Sequence, residues 1–270
     1  KLESFERALE CYKYAETILL RLYGEEHPDL AIVKENIGRI LLAKKKAHEA
    51  LEYLRKSLEL KQKSFPPDSM HIVKSYLTIA SAEHTQGNYK GALRSYEHCA
   101  ELLKKQPKLN ISLLAKVNRE IASVYMGLEQ YDLASTHLEE ALKQFIQALG
   151  KDSPEVANVY LLRADLKVRT KKLDDLSTDV KNAVAILVKK YGKDHPHVGK
   201  AYKQIGVLYK EAEQYKEALP YLEKALDIVD SYISKDSEEA SDLYFLLGDC
   251  HYYLNNLDQA GKYLSHAARI

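Results

Sequence analysis

Apolar and small residues recur along this chain at helical spacing, and short polar stretches interrupt them at regular intervals. Residues 198–211 carry apolar or small residues at helical spacing, at Ala201, Tyr202, Ile205, Gly206, Leu208 and Tyr209. That spacing predicts a helix with one buried face. Residues 212–214 break the pattern, and Tyr215 begins a second stretch whose apolar positions are Ala218, Leu222, Ala225 and Val229. The pattern therefore predicts a hairpin of two helices.

This hairpin repeats with a step of 42 residues, and the register does not slip. One series of positions holds only Gly or Ala: Gly38, Ala80, Ala122, Ala164, Gly206 and Gly248. A second series holds only large apolar residues: Tyr12, Leu54, Tyr96, Leu138, Val180, Leu222 and Leu264. Small residues let two helix backbones approach closely, and a large residue fills the neighbouring groove. Cys99 falls in a further small series, so we interpret Cys99, and with it Cys11 and Cys250, as core residues rather than reactive thiols.

The repeat predicts an all-α chain of about 13 helices in a single solenoid over residues 1–270. A lone second helix of a truncated repeat occupies 4–28, and hairpin repeats follow at 29–70, 71–112, 113–154, 155–196, 197–238 and 239–270. Because the chain begins with Lys1 and neither end resembles a polar capping helix, we expect it to be a piece of a longer protein. The fourth repeat is the least regular, with Lys167 and Leu176 at unusual positions, and we expect the superhelix to bend there.

The linkers between repeats carry helix stop and start signals. Gly24, Gly150 and Gly192 suit the left-handed residue that ends a helix, and each is followed four residues later by a Pro suited to the next first turn. Ser153 is a candidate N-cap. His27 and His195 occupy the equivalent position, so we expect capping or solvent exposure rather than metal binding.

The small and aromatic positions, including Gly206, Tyr209, Tyr215 and Ala218, resemble tetratricopeptide repeats, whose usual period is about 34 residues. The longer period and the Gly-x-x-His-Pro linkers resemble the kinesin-light-chain subclass. The resemblance implies a right-handed superhelical solenoid in which the first helix of each pair lines a concave, protein-binding face. Kinesin light chains place an asparagine two residues before each small marker. Here only Asn36 matches, with Gln204 as a partial substitute, which argues against cargo recognition of that type.

Other positions on the predicted concave face are mostly basic. Six or three residues before the small markers stand Lys74, Lys116, Arg119, Lys200 and Lys203. The last repeat instead offers Phe245 and Tyr252. A basic groove that ends in an aromatic patch predicts an acidic partner peptide with an aromatic or apolar anchor. The open alternatives are a solvated polar face and, for the aromatic residues, packing against a further helix.

Composition narrows the function classes. Forty basic and 39 acidic residues leave a formal charge of +1, which gives no overall field for nucleic acid, and no apolar run is long enough to insert into a membrane. The three cysteines lack ligand spacing, which indicates neither a disulfide framework nor a zinc site and suits a cytoplasmic location. No phosphate loop, His-Glu-x-x-His motif or nucleophile elbow is present, so we expect no catalysis and no cofactor.

We therefore predict an adaptor or scaffold that binds a protein or peptide partner in its concave groove. The alternative is a structural docking arm in a cytoskeletal or ciliary assembly, contacted along its convex face and ends. The sequence does not indicate the oligomeric state.

Overall fold

The structure is a computed structural model that describes residues 2–232 and 237–270, and this part of the chain is helical with no strand. It contains the thirteen predicted helices. Their bounds are α1 Leu2–Tyr23, α2 Pro28–Ala43, α3 Ala47–Ser64, α4 Met70–Thr85, α5 Tyr89–Lys104, α6 Ile111–Gly127, α7 Tyr131–Leu149, α8 Pro154–Arg169, α9 Leu176–Tyr191, α10 Pro196–Glu211, α11 Tyr215–Tyr232, α12 Glu238–Tyr253 and α13 Leu257–Ala267. The predicted all-α fold class is confirmed.

The chain forms two compact units, Lys1–Ala141 and Leu142–Ile270, and the boundary falls within α7. In the first unit, α2 packs with α3 and α4 with α5. In the second unit the packed pairs are α8 with α9, α10 with α11, and α12 with α13. Each pair is one predicted hairpin, joined by a short loop.

The glycine markers lie where a large side chain of the second helix packs against the backbone of the first. A methyl group added to Gly38 would lie 2.7 Å from Cγ of Leu54, and one added to Gly248 would lie 2.7 Å from Cγ of Leu264. Gly206 faces Leu222 in the same way. The small series therefore packs against the large series, as the 42-residue pattern predicts, and a larger residue at these glycines would push the helices apart.

The linkers also behave as predicted. Gly24, Gly150 and Gly192 have φ of 78°, 84° and 90°, in the left-handed region that glycine adopts without steric cost. The prolines four residues later lie in the first turn of α2, α8 and α10. The Ser153 hydroxyl accepts from the Val156 amide. The imidazoles of His27 and His195 accept from the backbone amides of Asp29 and His197, so these histidines are helix caps.

The second to sixth hairpins also share a contact between one position of the first helix and one position of the second, and the chemistry of this contact changes from repeat to repeat. The pairs are Glu83 with Ser95, Tyr125 with His137, Lys167 with Asp179, Tyr209 with Tyr221, and His251 with Tyr263. Three of the pairs stack aromatic rings, one forms a hydrogen bond, and the fourth hairpin forms an ion pair. This position therefore distinguishes otherwise similar repeats.

The fourth hairpin carries a buried ionic cluster in its core. The carboxylate of Asp179 is 1% exposed and lies 2.8 Å from the Lys167 ammonium. The guanidinium of Arg163 donates to both oxygens of Asp179, with Nε distances of 3.2 and 3.1 Å. Arg163 occupies a position that holds Ile or Leu in the other five hairpins: Ile37, Ile79, Ile121, Ile205 and Leu247. The irregularity of this repeat is thus an exchange of apolar for ionic packing.

The cysteines divide into two classes. Cys99 and Cys250 are buried, and burial raises the pKa of their thiols to about 12 and about 11. Both are small core residues, as predicted. Cys11 is exposed on α1, so its interpretation as a core residue is wrong. Its position in the repeat belongs to the variable pair series that also holds Ser95, His137 and Asp179, rather than to the small series.

Candidate protein-binding grooves

A groove lies in the first unit across α2, α4 and α6, which are the first helices of three consecutive hairpins. Its volume is about 470 Å³. Three basic side chains line it, Arg39 from α2 and Lys116 and Arg119 from α6. We call it the first-unit groove. It falls within the size range of pockets that bind ligands, about 300–1,000 Å³.

The remaining lining of the first-unit groove is apolar and neutral polar. Leu42, Leu77 and the ring of Tyr96 supply the apolar surface. Burial raises the pKa of the Tyr96 phenol, which therefore stays neutral and can donate a hydrogen bond. The hydroxyls of Thr78 and Ser81 on α4 complete the wall between the two basic sides.

The basic residues of the first unit differ in whether an acidic side chain forms an ion pair with them. The Arg119 guanidinium lies 2.6 Å from the carboxylate of Glu120, which lines the same groove. Within the described part of the chain, neither Arg39 nor Lys116 forms an ion pair, so the groove has a net positive charge. Lys74 is exposed on α4 and Asn36 is half-buried on α2, and neither lines the groove.

The predicted residues of the second unit lie on α10 and α12. Lys200 and Gln204 are exposed on α10, while the Lys203 ammonium lies 3.0 Å from the Asp242 carboxylate of α12. Phe245 and Tyr252 are 54% and 59% exposed and lie seven residues apart on α12, hence on one face of that helix.

The sequence did not indicate Arg39, Leu42, Ser81 and Tyr96 as groove residues. Arg39 directly follows the small marker Gly38, and the equivalent residue of the next hairpin, Ser81, lines the same groove. The position one residue after each marker is therefore the signal that could have found Arg39. Tyr96 was predicted as a core residue, and it is 2% exposed while still forming part of the groove wall.

Metal-binding clusters and membrane-spanning helices are both absent from residues 2–232 and 237–270. No group of three or more His, Cys, Asp or Glu side chains is placed to hold a metal ion. No helix there combines the length and the apolar character needed to cross a membrane.

A sequence model of the family described as "Tetratricopeptide repeat" matches residues 1–63, 31–105, 113–175, 164–231 and 204–270. The chain belongs to the tetratricopeptide repeat family. The tetratricopeptide repeat fold is a protein–protein interaction module, in agreement with the general class of function that the sequence predicts. The resemblance to kinesin-light-chain-like repeats is confirmed by the relatives.

Protein KINESIN LIGHT CHAIN-RELATED 1 of Arabidopsis thaliana is 23% identical over 260 residues, which is 96% of this chain and 42% of that protein. The Clustered mitochondria protein homolog of Aspergillus niger is 24% identical over 139 residues, 52% of this chain and 11% of that protein. This tetratricopeptide repeat chain thus spans less than half of either relative.

Two solved structures share the tetratricopeptide fold. BtubC (BKLC) from P. vanneervenii superposes with a TM-score of 0.66 at 19% identity, covering 83% of this chain and 87% of that one. The apo form of RapI superposes with a TM-score of 0.70 at 16% identity, covering 98% of this chain and 90% of that one. At these identities the likeness establishes the fold alone.

Proposed function

We propose that this chain is a non-enzymatic adaptor whose first-unit groove binds an acidic segment of a partner protein. The observation that carries the proposal is the pair Arg39 and Lys116, two cations without ion-pair partners in the described residues, beside the apolar side chains of Leu42 and Leu77. A carboxylate that entered this groove would meet positive charge, and an adjacent apolar side chain would be removed from water.

The flanking residues fit the same role. Lys74 and Asn36, exposed or half-buried on the first helices of the same unit, would contact parts of the partner outside the groove. The second unit by itself offers a separate candidate surface, on which Lys200, Lys203 and Gln204 would contribute polar contacts to a partner. Phe245 and Tyr252 would take an aromatic or apolar anchor. Exposed aromatic side chains of this kind are enriched at protein interfaces.

The proposal is tested with a fluorescein-labelled peptide of repeated Glu-Leu-Asp units, titrated by fluorescence anisotropy. Reversing two charges with Arg39→Glu/Lys116→Glu should weaken binding by about tenfold or more, because two attractions become two repulsions of similar size. The matched control is Lys56→Glu/Lys90→Glu, which makes the same charge change at exposed positions on the second helices α3 and α5.

The wild-type affinity should fall as salt rises, and the control variant should bind like the wild type. Equal loss in both variants would indicate attraction by overall charge and would overturn the groove assignment. Absence of peptide binding to the wild type would favour the alternative, a structural docking arm in a cytoskeletal or ciliary assembly. The relatives named after kinesin light chains motivate a cytoplasmic, cytoskeleton-associated location.

A further inference from the structure

The second unit contains a separate apolar pocket between α10, α11 and α12. Its volume is about 90 Å³. Buried Ile228 and Leu243 and half-buried Val229 form its walls, together with the backbone of α10 at Gly199. Exposed Lys200, Tyr232 and Glu239 stand around its mouth, so a ligand can enter from solvent.

The repeat explains why this pocket exists here. The residue equivalent to Val229 is larger in all five other repeats that contain this position: Leu19, Lys61, Leu103, Phe145 and Leu187. A shorter side chain at this position therefore leaves space that other repeats fill. Gly199 allows Ile228 to lie against α10, because a methyl group at Gly199 would come within 2.9 Å of Cγ2 of Ile228.

The mouth of the pocket carries charges of both signs, on opposite helices. On the α10 side, Lys203 is held by Asp242 at 3.0 Å, whereas Lys200 makes no ion pair with any described residue. On the α12 side, Glu239 also has no ion pair within residues 2–232 and 237–270. A ligand that satisfied both charges would need an anion near α10 and a cation near α12.

We propose that this pocket binds a branched aliphatic side chain, leucine or valine, from a segment of a partner protein. An acidic neighbour of that side chain would face Lys200 and a basic neighbour would face Glu239. The size fits, because an engineered apolar cavity of about 150 Å³ binds benzene, and a pocket of 90 Å³ suits the smaller isopropyl or isobutyl group. The site lies in the second unit, so its test is independent of the first-unit groove.

The experiment is methyl NMR of the whole chain with labelled Ile, Leu and Val, titrated with the capped tripeptide Glu-Leu-Lys. The methyl signals of Ile228, Val229 and Leu243 should shift together. Replacing the ligand leucine by alanine should weaken binding about tenfold to fiftyfold, since three carbon groups lose burial. The uncharged tripeptide Gln-Leu-Gln should bind about twofold to fivefold more weakly, the scale expected for exposed charge pairs.

Two variants fill the pocket from within. Val229→Phe copies Phe145, which is buried at the equivalent position, and Val229→Leu copies Leu187 if the larger ring does not fit. Either folded variant should show no methyl shifts when the Glu-Leu-Lys tripeptide is added, while its circular dichroism spectrum stays unchanged. A folded variant that still binds, shifts centred on methyl groups elsewhere, or no shifts in the wild type would each overturn the proposal.

Discussion

Removing the carboxylate of Asp179 should destabilise the fourth hairpin more than any surface substitution. Breaking a buried ion pair costs about 3–5 kcal/mol, because the remaining charge loses its compensation inside the protein. Asp179 is 1% exposed, but Arg163 and Lys167 are 25% and 21% exposed, so water screens part of the loss. We therefore expect Asp179→Ala to lower the free energy of unfolding of this hairpin by about 2–4 kcal/mol.

The assay must resolve single hairpins, since neighbouring repeats can unfold separately. Native-state hydrogen exchange with mass spectrometry provides this, reporting on peptides from α8 and α9. The control is Asp165→Ala, which removes the i,i+4 ion pair between Asp165 and Arg169 of α8, 2.9 Å apart. Losing this pair should lower the free energy of unfolding by about 0.3–0.5 kcal/mol.

A triple variant tests whether ionic packing itself is needed. Arg163→Ile/Lys167→Tyr/Asp179→Tyr copies the fifth hairpin, which places Ile205, Tyr209 and Tyr221 at these positions. Its stability should match or exceed the wild type, because well-packed apolar residues can replace a buried ion pair without loss. The reasoning is refuted if Asp179→Ala costs no more than the control, or if the triple variant is as unstable as Asp179→Ala.

Two further predictions concern thiols and acid. At pH 8, Ellman's reagent should modify exposed Cys11 rapidly. It should reach Cys99 and Cys250 only after denaturation, because both thiols are buried and burial raises their pKa. Rapid modification of more than one thiol would contradict the assignment. Burial, and to a smaller extent the charge of Lys104, lowers the pKa of the His137 imidazole below 6.5. The unfolded chain therefore takes up a proton at this histidine at a higher pH than the folded chain does. As a consequence, the free energy of unfolding should fall as the pH drops below about 6.5. In urea titrations, His137→Gln should reduce the change of the unfolding free energy with pH in this acid range. An unchanged pH dependence would contradict the reasoning.

The 42-residue pattern predicts the fold because each local signal agrees with it. Gly24 and Pro28 end and begin helices as their backbone preferences require, and Gly38 faces Leu54 because only small residues tolerate that approach. Arg163 is visible in the sequence as a departure from an Ile and Leu series. Its partner Asp179 is not, because pairing between helices depends on their rotation and separation.

The candidate site is less predictable for the same reason. Sequence spacing places basic residues on one helix face, but it does not show that Arg119 contacts Glu120 or that Lys203 contacts Asp242. The contribution of Arg39 becomes recognisable in the repeat only once the position one residue after each marker is known to line the groove. The repeat thus predicts which helix face carries charge. Which of those charges are neutralised within a groove can be seen only from the side-chain contacts.

The most direct test of the adaptor proposal is site-specific photo-crosslinking to the acidic Glu-Leu-Asp peptide. A photoreactive amino acid replaces Ser81, which lines the first-unit groove, or Lys90, which is exposed on the second helix α5. The account predicts a crosslink from position 81 that excess unlabelled peptide suppresses, and none from position 90. Crosslinking from position 90 alone, or equally from both, would contradict the claim that partners bind in the groove.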